Sequence, residues 1–183
     1  TIAENATDLT FTATTTDDSS TSFTYALSGT DANYFTLNSS TGVLTLKASP
    51  DYESKTSYSI KLKTSDDADI PKSYSEDFTI TVSDVNEAPT FSVSSATGSV
   101  AENADASTVI FTASASDPDT AKSIVYSITG GDDASLVQID SSTGEVVLRE
   151  PADRETNPAI DFIVTAADAS NSALASTQSV SVT

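Results

Sequence analysis

One sequence is written twice in this chain. Ile2-Ala3-Glu4-Asn5, Phe11-Thr12-Ala13, Tyr25-Ala26-Leu27, Ser40-Thr41-Gly42 and Asp51-Tyr52-Glu53 return as Val100-Ala101-Glu102-Asn103, Phe111-Thr112-Ala113, Tyr126-Ser127-Ile128, Ser142-Thr143-Gly144 and Asp153-Arg154-Glu155. The spacing between copies opens from 98 residues at Glu4 and Glu102 to 102 at Glu53 and Glu155, a drift that small loop insertions explain. A fixed period constrains architecture more than any single motif. Over 183 residues it predicts two domains, 1–88 and 89–183, joined at Asp84-Val85-Asn86-Glu87-Ala88-Pro89, where Pro89 stiffens the junction and cannot donate to a ladder.

Within each copy the apolar residues fall two apart, as in Phe23-Thr24-Tyr25-Ala26-Leu27, Tyr58-Ser59-Ile60-Lys61-Leu62 and Phe162-Ile163-Val164. That period sends one face of a strand to a core and the other to water. Asn38-Ser39-Ser40-Thr41-Gly42 and Asp140-Ser141-Ser142-Thr143-Gly144 read as hairpin turns, with glycine where φ must be positive. Asp31-Ala32-Asn33-Tyr34 has room for a single helical turn. About seven short strands per copy predict an all-β protein of two tandem Greek-key β-sandwiches, end to end.

Composition removes whole classes of function. Acidic residues outnumber basic ones 27 to 8, for a formal charge of −19. Such a surface has no cationic patch for phosphate, which excludes nucleic acid and disfavours anionic membranes. The absence of cysteine and histidine removes disulfides, thiolate and imidazole zinc sites and a histidine acid–base centre. Hard cations bound by oxygen remain. No apolar run is long enough to span a membrane, and there is no secretory h-region. Thr1 opening inside a first strand and Val182-Thr183 closing before a further linker read as a piece of a longer array.

Five motifs in order, Glu4-Asn5, Asp51-Tyr52-Glu53, Asp84-Val85-Asn86-Glu87, Asp117-Pro118-Asp119 and Ala167-Asp168-Ala169, resemble the cadherin repeat. The match covers nearly the whole chain, and its Ser/Thr-rich acidic character with Glu-Ala-Pro in the linker is similar to repeats of large bacterial surface adhesins. The resemblance implies up to three calcium ions where the two copies meet. Glu4, Asp51, Glu53 and Glu87 would hold the ions nearest the first copy, and Asn86, Asp117, Asp119 and Asp168 the ion nearest the second. Asp84 belongs to the linker motif, and the Val85 carbonyl is a further candidate ligand. The eight carboxylates named here would repel one another without a cation. Glu87 stands where the commoner family form has Asp, and Asp17-Asp18-Ser19 departs from the Asp-x-Asp pattern. With Asp66, Asp17 leaves a poorer half-site on the first copy, while Glu102, Asp153 and Glu155 form a half-site on the second.

The implied function is a calcium-binding, calcium-rigidified spacer in an extracellular, cell-surface adhesin, with neighbouring repeats as partners and no catalysis. Two alternatives belong to other classes. One is a module that binds a carbohydrate or a cell-surface protein, for which an exposed aromatic row would argue. The other is homophilic cell adhesion, although the chain has no Trp for the swapped-Trp mode of the family.

Overall fold

The computed structural model describes residues 1–18, 21–68, 70–119 and 123–183; Ser19 of the Asp17-Asp18-Ser19 stretch lies outside the described residues. The chain forms two compact units, Thr1–Val85 and Asn86–Thr183.

Among the described residues unit 1 has seven strands: β1 (Ile2–Ala3), β2 (Thr10–Thr12), β3 (Phe23–Ser28), β4 (Phe35–Leu37), β5 (Val43–Leu46), β6 (Ser57–Asp66) and β7 (Ser73–Ser83). They build a four-stranded sheet ordered β1-β7-β6-β3 and a three-stranded sheet ordered β2-β5-β4. The chain passes between sheets at β1 to β2, β2 to β3, β3 to β4 and β5 to β6, so the sandwich is a Greek key. Alternation does the sorting: in β6, Tyr58 and Ile60 turn inward and are buried while Ser59 and Lys61 face water. Phe35, Leu44, Leu46 and Val82 complete the core from both sheets. The predicted helical turn is the 3-10 turn Ala32–Tyr34. Gly42 and Gly144 carry the hairpin turns with φ of 70° and 74°.

Unit 2 repeats the plan with β8 (Thr90–Phe91), β9 (Ser95–Gly98), β10 (Val109–Thr112), β11 (Ala115–Ser116), β12 (Ile124–Gly130), β13 (Val137–Ile139), β14 (Glu145–Leu148), β15 (Ile160–Asp168) and β16 (Ala175–Val182). Nine segments stand for the expected seven runs because two runs are split. The first changes sheets, with β8 pairing β11 and β9 pairing β16. The second breaks where Ala113 N–H donates to the Gly144 carbonyl between β10 and β11. Phe162, Val164, Ala166, Val146 and Val180 form the centre of its core.

Candidate metal centre

In unit 1 the site begins with a parallel strand pair. β1 runs beside the end of β7, with Ile2 opposite Val82 and Ala3 opposite Ser83, so Glu4 arrives beside the exit of β7. Asn5 then takes a left-handed φ of 57°, a conformation asparagine tolerates better than most residues, and its N–H donates to the Pro50 carbonyl. Held this way, Glu4 is only 4% exposed. Its Oε2 accepts from the Tyr52 N–H at 2.8 Å and its Oε1 from the Val85 N–H at 2.7 Å. A buried carboxylate requires such donors. Glu4 therefore pins the 51–53 turn and the linker backbone to one point.

Two more carboxylates converge there. One oxygen each from Glu4, Glu53 and Asp84 lie within 4.8 Å of one another. Calcium binds oxygen at about 2.3–2.6 Å, so two oxygens on one ion stand at most about 5 Å apart. The three fit a shared ion on that criterion. Asp51, named with them from sequence, is oriented by its own turn. Its Oδ1 accepts from the Ser54 N–H and its Oδ2 from the Ser54 hydroxyl, at 2.9 and 2.8 Å. The Ser54 N–H and then its hydroxyl hold the Asp51 carboxyl below the usual aspartate range. Asp153 repeats this turn on Thr156, whose hydroxyl and N–H lower its carboxyl in the same way. The Asp-x-x-Ser/Thr spacing of a local side-chain cap was the available signal. The linker residue Val85 contributes its N–H to Glu4, and its side chain is exposed.

Unit 2 carries the remaining candidates. Asp117 Oδ1 accepts from the Asp119 N–H at 3.0 Å, a tight Asx turn that places both carboxylates on one loop. Asp119 is 6% exposed, and its Oδ2 accepts from the Glu87 N–H at 2.8 Å. The start of unit 2 is thus tied to this loop by a backbone donor, as Glu4 ties the end of unit 1. Asp168 ends β15, buried, with Oδ1 accepting from the Ser170 N–H, the Ser170 hydroxyl and the Asn171 N–H. The Asn86 side chain is the diagnostic group. Both its Oδ1 and Nδ2 are buried, with no hydrogen-bond partner among the described residues. A buried amide left so costs about 1–3 kcal/mol, and a cation on Oδ1 is the kind of partner that satisfies its acceptor. Among the described residues, no trio in unit 2 meets the close spacing of Glu4, Glu53 and Asp84.

Fold and site together define a tandem β-sandwich protein with acidic, oxygen-rich ends suited to a hard cation. The cadherin domain model matches residues 1–83 and 96–183, and the chain belongs to the cadherin family. It is 34% identical to human Protocadherin-23 over 157 residues, which are 84% of this chain and 5% of that protein. It is 35% identical to Cadherin-18 of Bos taurus over 150 residues, 77% of this chain and 19% of that one. The chain therefore spans a small fraction of these relatives. Mouse Cadherin-23 EC22-24 superposes with a TM-score of 0.68 at 25% identity, covering 99% of this chain and 60% of that one. Domains 3–6 of Protocadherin Gamma B2, described as extracellular cadherin domains, give 0.61 at 28% identity over 88% of this chain and 40% of theirs. Cadherin repeats are extracellular calcium-binding adhesion modules, and this chain is an extracellular pair of them. No helix among the described residues is long and apolar enough to cross a membrane.

Proposed function

We propose that this chain is a calcium-stiffened spacer of a larger cell-surface adhesin, and that its ions sit on two ligand sets anchored to one linker. Glu4, Glu53 and Asp84 make the set of unit 1; Asn86, Glu87, Asp117, Asp119 and Asp168 make the set of unit 2. Asp51 and the Val85 carbonyl complete the proposed ligands. The observation that carries this reading is the buried Glu4 carboxylate, which grips the Val85 N–H while Glu53 and Asp84 close to within a shared-ion distance. Residues 84–87 are consecutive, so ions on both sets would clamp the two ends of one short segment. The domain boundary belongs to the same proposal and falls within 84–89.

The Ser/Thr-rich acidic composition and Glu87-Ala88-Pro89 support an origin among large bacterial adhesins. The exposed aromatics Tyr74 and Phe78 line the core side of β7 instead of forming a row on an outer face, which favours the spacer over a carbohydrate-binding module. With no histidine and no cysteine, the chain's titratable groups are chiefly carboxylates, and the reading proposed for them is cation binding.

Small-angle scattering with calcium and with chelator tests the function. Each unit has its own core, so chelation should leave the far-ultraviolet circular dichroism β-like while interdomain freedom increases. An unchanged maximum dimension and unchanged flexibility would sink the spacer mechanism.

A further inference from the structure

The two units share a backbone frame around the 3-10 turn and differ in the side chains mounted on it. Asp31 and Asp133 each open that turn and accept from the strand beside it, Asp31 from the Ser59 N–H at 2.7 Å and Asp133 from the Asp161 N–H at 2.9 Å. The Lys47 N–H donates to the Tyr34 carbonyl at 2.9 Å, and the Arg149 N–H to the Leu136 carbonyl at 2.8 Å. On this frame Tyr34, Lys55 and Tyr58 of unit 1 stand where unit 2 has Leu136, Asn157 and Ile160. Unit 2 folds on the same plan with none of the three, so the frame does not require them.

In unit 1 these three residues line a cleft of about 530 Å³, together with Lys47, Ser49 and Asp51. That volume falls within the range of small-ligand sites, about 300–1,000 Å³. Tyr34 is 45% exposed and meets the Tyr58 ring edge-on at 5.3 Å. Lys55 Nζ stands 5.4 and 5.5 Å from the two ring centres and 2.8 Å from Asp31 Oδ1. Lys47 Nζ donates to the Asn33 carbonyl at 2.7 Å. An ammonium group has three N–H donors, so each lysine keeps donors for a ligand. Tyr58 is 4% exposed, and among the described residues its hydroxyl makes no hydrogen bond. A buried tyrosine hydroxyl ordinarily finds a partner.

The chemistry of the cleft selects among ligands. Lys47 and Lys55 are balanced by Asp51 and Asp31, which leaves no excess positive charge for a phosphate. A wholly apolar ligand would cover the two ammonium groups and the Tyr58 hydroxyl without satisfying them. A sugar ring meets both demands: its C–H face lies against an exposed aromatic ring, and its hydroxyls accept from ammonium groups and donate to a carboxylate. We propose that unit 1 binds one neutral hexopyranose unit in this cleft, stacked on Tyr34 and hydrogen-bonded by Lys47, Lys55 and the Tyr58 hydroxyl. The site goes beyond the spacer reading and does not depend on it, because every residue of the cleft belongs to unit 1. One ring-sized cleft makes a single weak subsite on a spacer, whereas a dedicated carbohydrate module would extend it into a row of aromatics.

The test is titration of the full chain, in millimolar calcium, with the methyl glycosides of glucose, galactose and mannose, followed by nuclear magnetic resonance. With at least one of them, saturable shifts should appear at Tyr34, Lys47, Lys55 and Tyr58, with a dissociation constant of about 1–10 mM as expected of so small a ligand. Leu136 and Ile160 are the internal control and should not move. Tyr34→Leu copies the residue that unit 2 carries and should weaken binding by about tenfold. Tyr58→Phe keeps the packed ring and should weaken it by about threefold. If Tyr34→Leu disturbs the resonances of the unit 1 core, Tyr58→Phe decides alone. Failure to saturate with all three sugars, equal shifts in unit 2, or full affinity in the variants would overturn the proposal. Methyl glucuronide binding about tenfold tighter than the neutral sugars would overturn the assignment to a neutral ring.

Discussion

Glu4 and Glu102 occupy the same Ala-Glu-Asn sequence on nearly the same backbone. Asn5 and Asn103 have φ of 57° and 62°, and their N–H groups donate to the Pro50 and Ala152 carbonyls, each at 2.9 Å. Yet Glu4 is buried and Glu102 is exposed. The difference lies in what meets the carboxylate: the Tyr52 and Val85 N–H groups donate to Glu4 at 2.8 and 2.7 Å. The opposite ends repeat the contrast. Asp119 is buried under the Glu87 N–H, while Asp17 of unit 1 is exposed. The burial of a carboxylate here is conferred by the segment that passes over it; the motif alone does not impose it.

The sharpest way to break this comparison is to remove each glutamate in millimolar calcium. Glu4→Ala leaves the Tyr52 and Val85 N–H groups without their charged acceptor and should cost about 3 kcal/mol. Glu102→Ala, at an exposed site, should stay within about 0.5 kcal/mol. Urea unfolding followed by site-resolved hydrogen exchange separates the units, and equal losses would end the distinction.

A second pair compares strand-end aspartates. Asp168 holds three donors on Oδ1, so Asp168→Ala should cost about 2 kcal/mol. Asp66, part-exposed, accepts chiefly from the Lys72 N–H at 2.9 Å, and Asp66→Ala should cost about half as much. The same unfolding series measures both. The reverse order would mean that the number of donors on the carboxylate does not decide the energetics.

Calcium gives a smaller effect per site. At a dissociation constant of about 10⁻⁴ M and free calcium of about 10⁻³ M, each occupied site adds about 1.4 kcal/mol. In titration calorimetry Glu87→Ala should reduce the fitted number of sites, whereas Glu102→Ala should leave the tight sites unaltered. Unchanged stoichiometry and affinity in the Glu87 variant would remove that residue from the ligand set.

The smallest effect is the part of the acid dependence that Lys55 confers on unit 1. Hydrogen bonding to Lys55, at 2.8 Å, and to the Ser59 N–H holds the Asp31 carboxyl below its usual range. A depressed folded-state pKa contributes stability above the ordinary aspartate value, about 3.9, that is lost as pH falls through the lowered one. Asn157 stands where Lys55 would fall in unit 2. Acid unfolding of unit 1 should therefore become less steep in Asp31→Asn, with unit 2 unaffected. The ion pair is partly exposed, so solvent screening keeps this effect slight.

Much of this was legible in the residues. Alternation in Tyr58-Ser59-Ile60 and Phe162-Ile163-Val164 announces half-buried strands, because side-chain direction in a strand follows from covalent geometry alone. The chemical type of the site was equally legible, since oxygen ligands are all that a chain without histidine or cysteine can offer. The positive φ at Gly42 and Gly144 followed from turn chemistry.

Three things required the tertiary structure. Glu4 and Val85 are 81 positions apart, and only the parallel pairing of β1 with β7 brings them to 2.7 Å. Asp51 and Glu53 sit in one motif, yet the first bonds locally to Ser54 while the second closes on Glu4 and Asp84. The exposure of Phe78 is invisible in its own sequence, because it alternates like any core residue. What amino-acid order determines here is local: side-chain direction, turn geometry and ligand type. Which carboxylate is buried and which is drawn into a turn depend on contacts between distant segments, and those are set by how the strands pair.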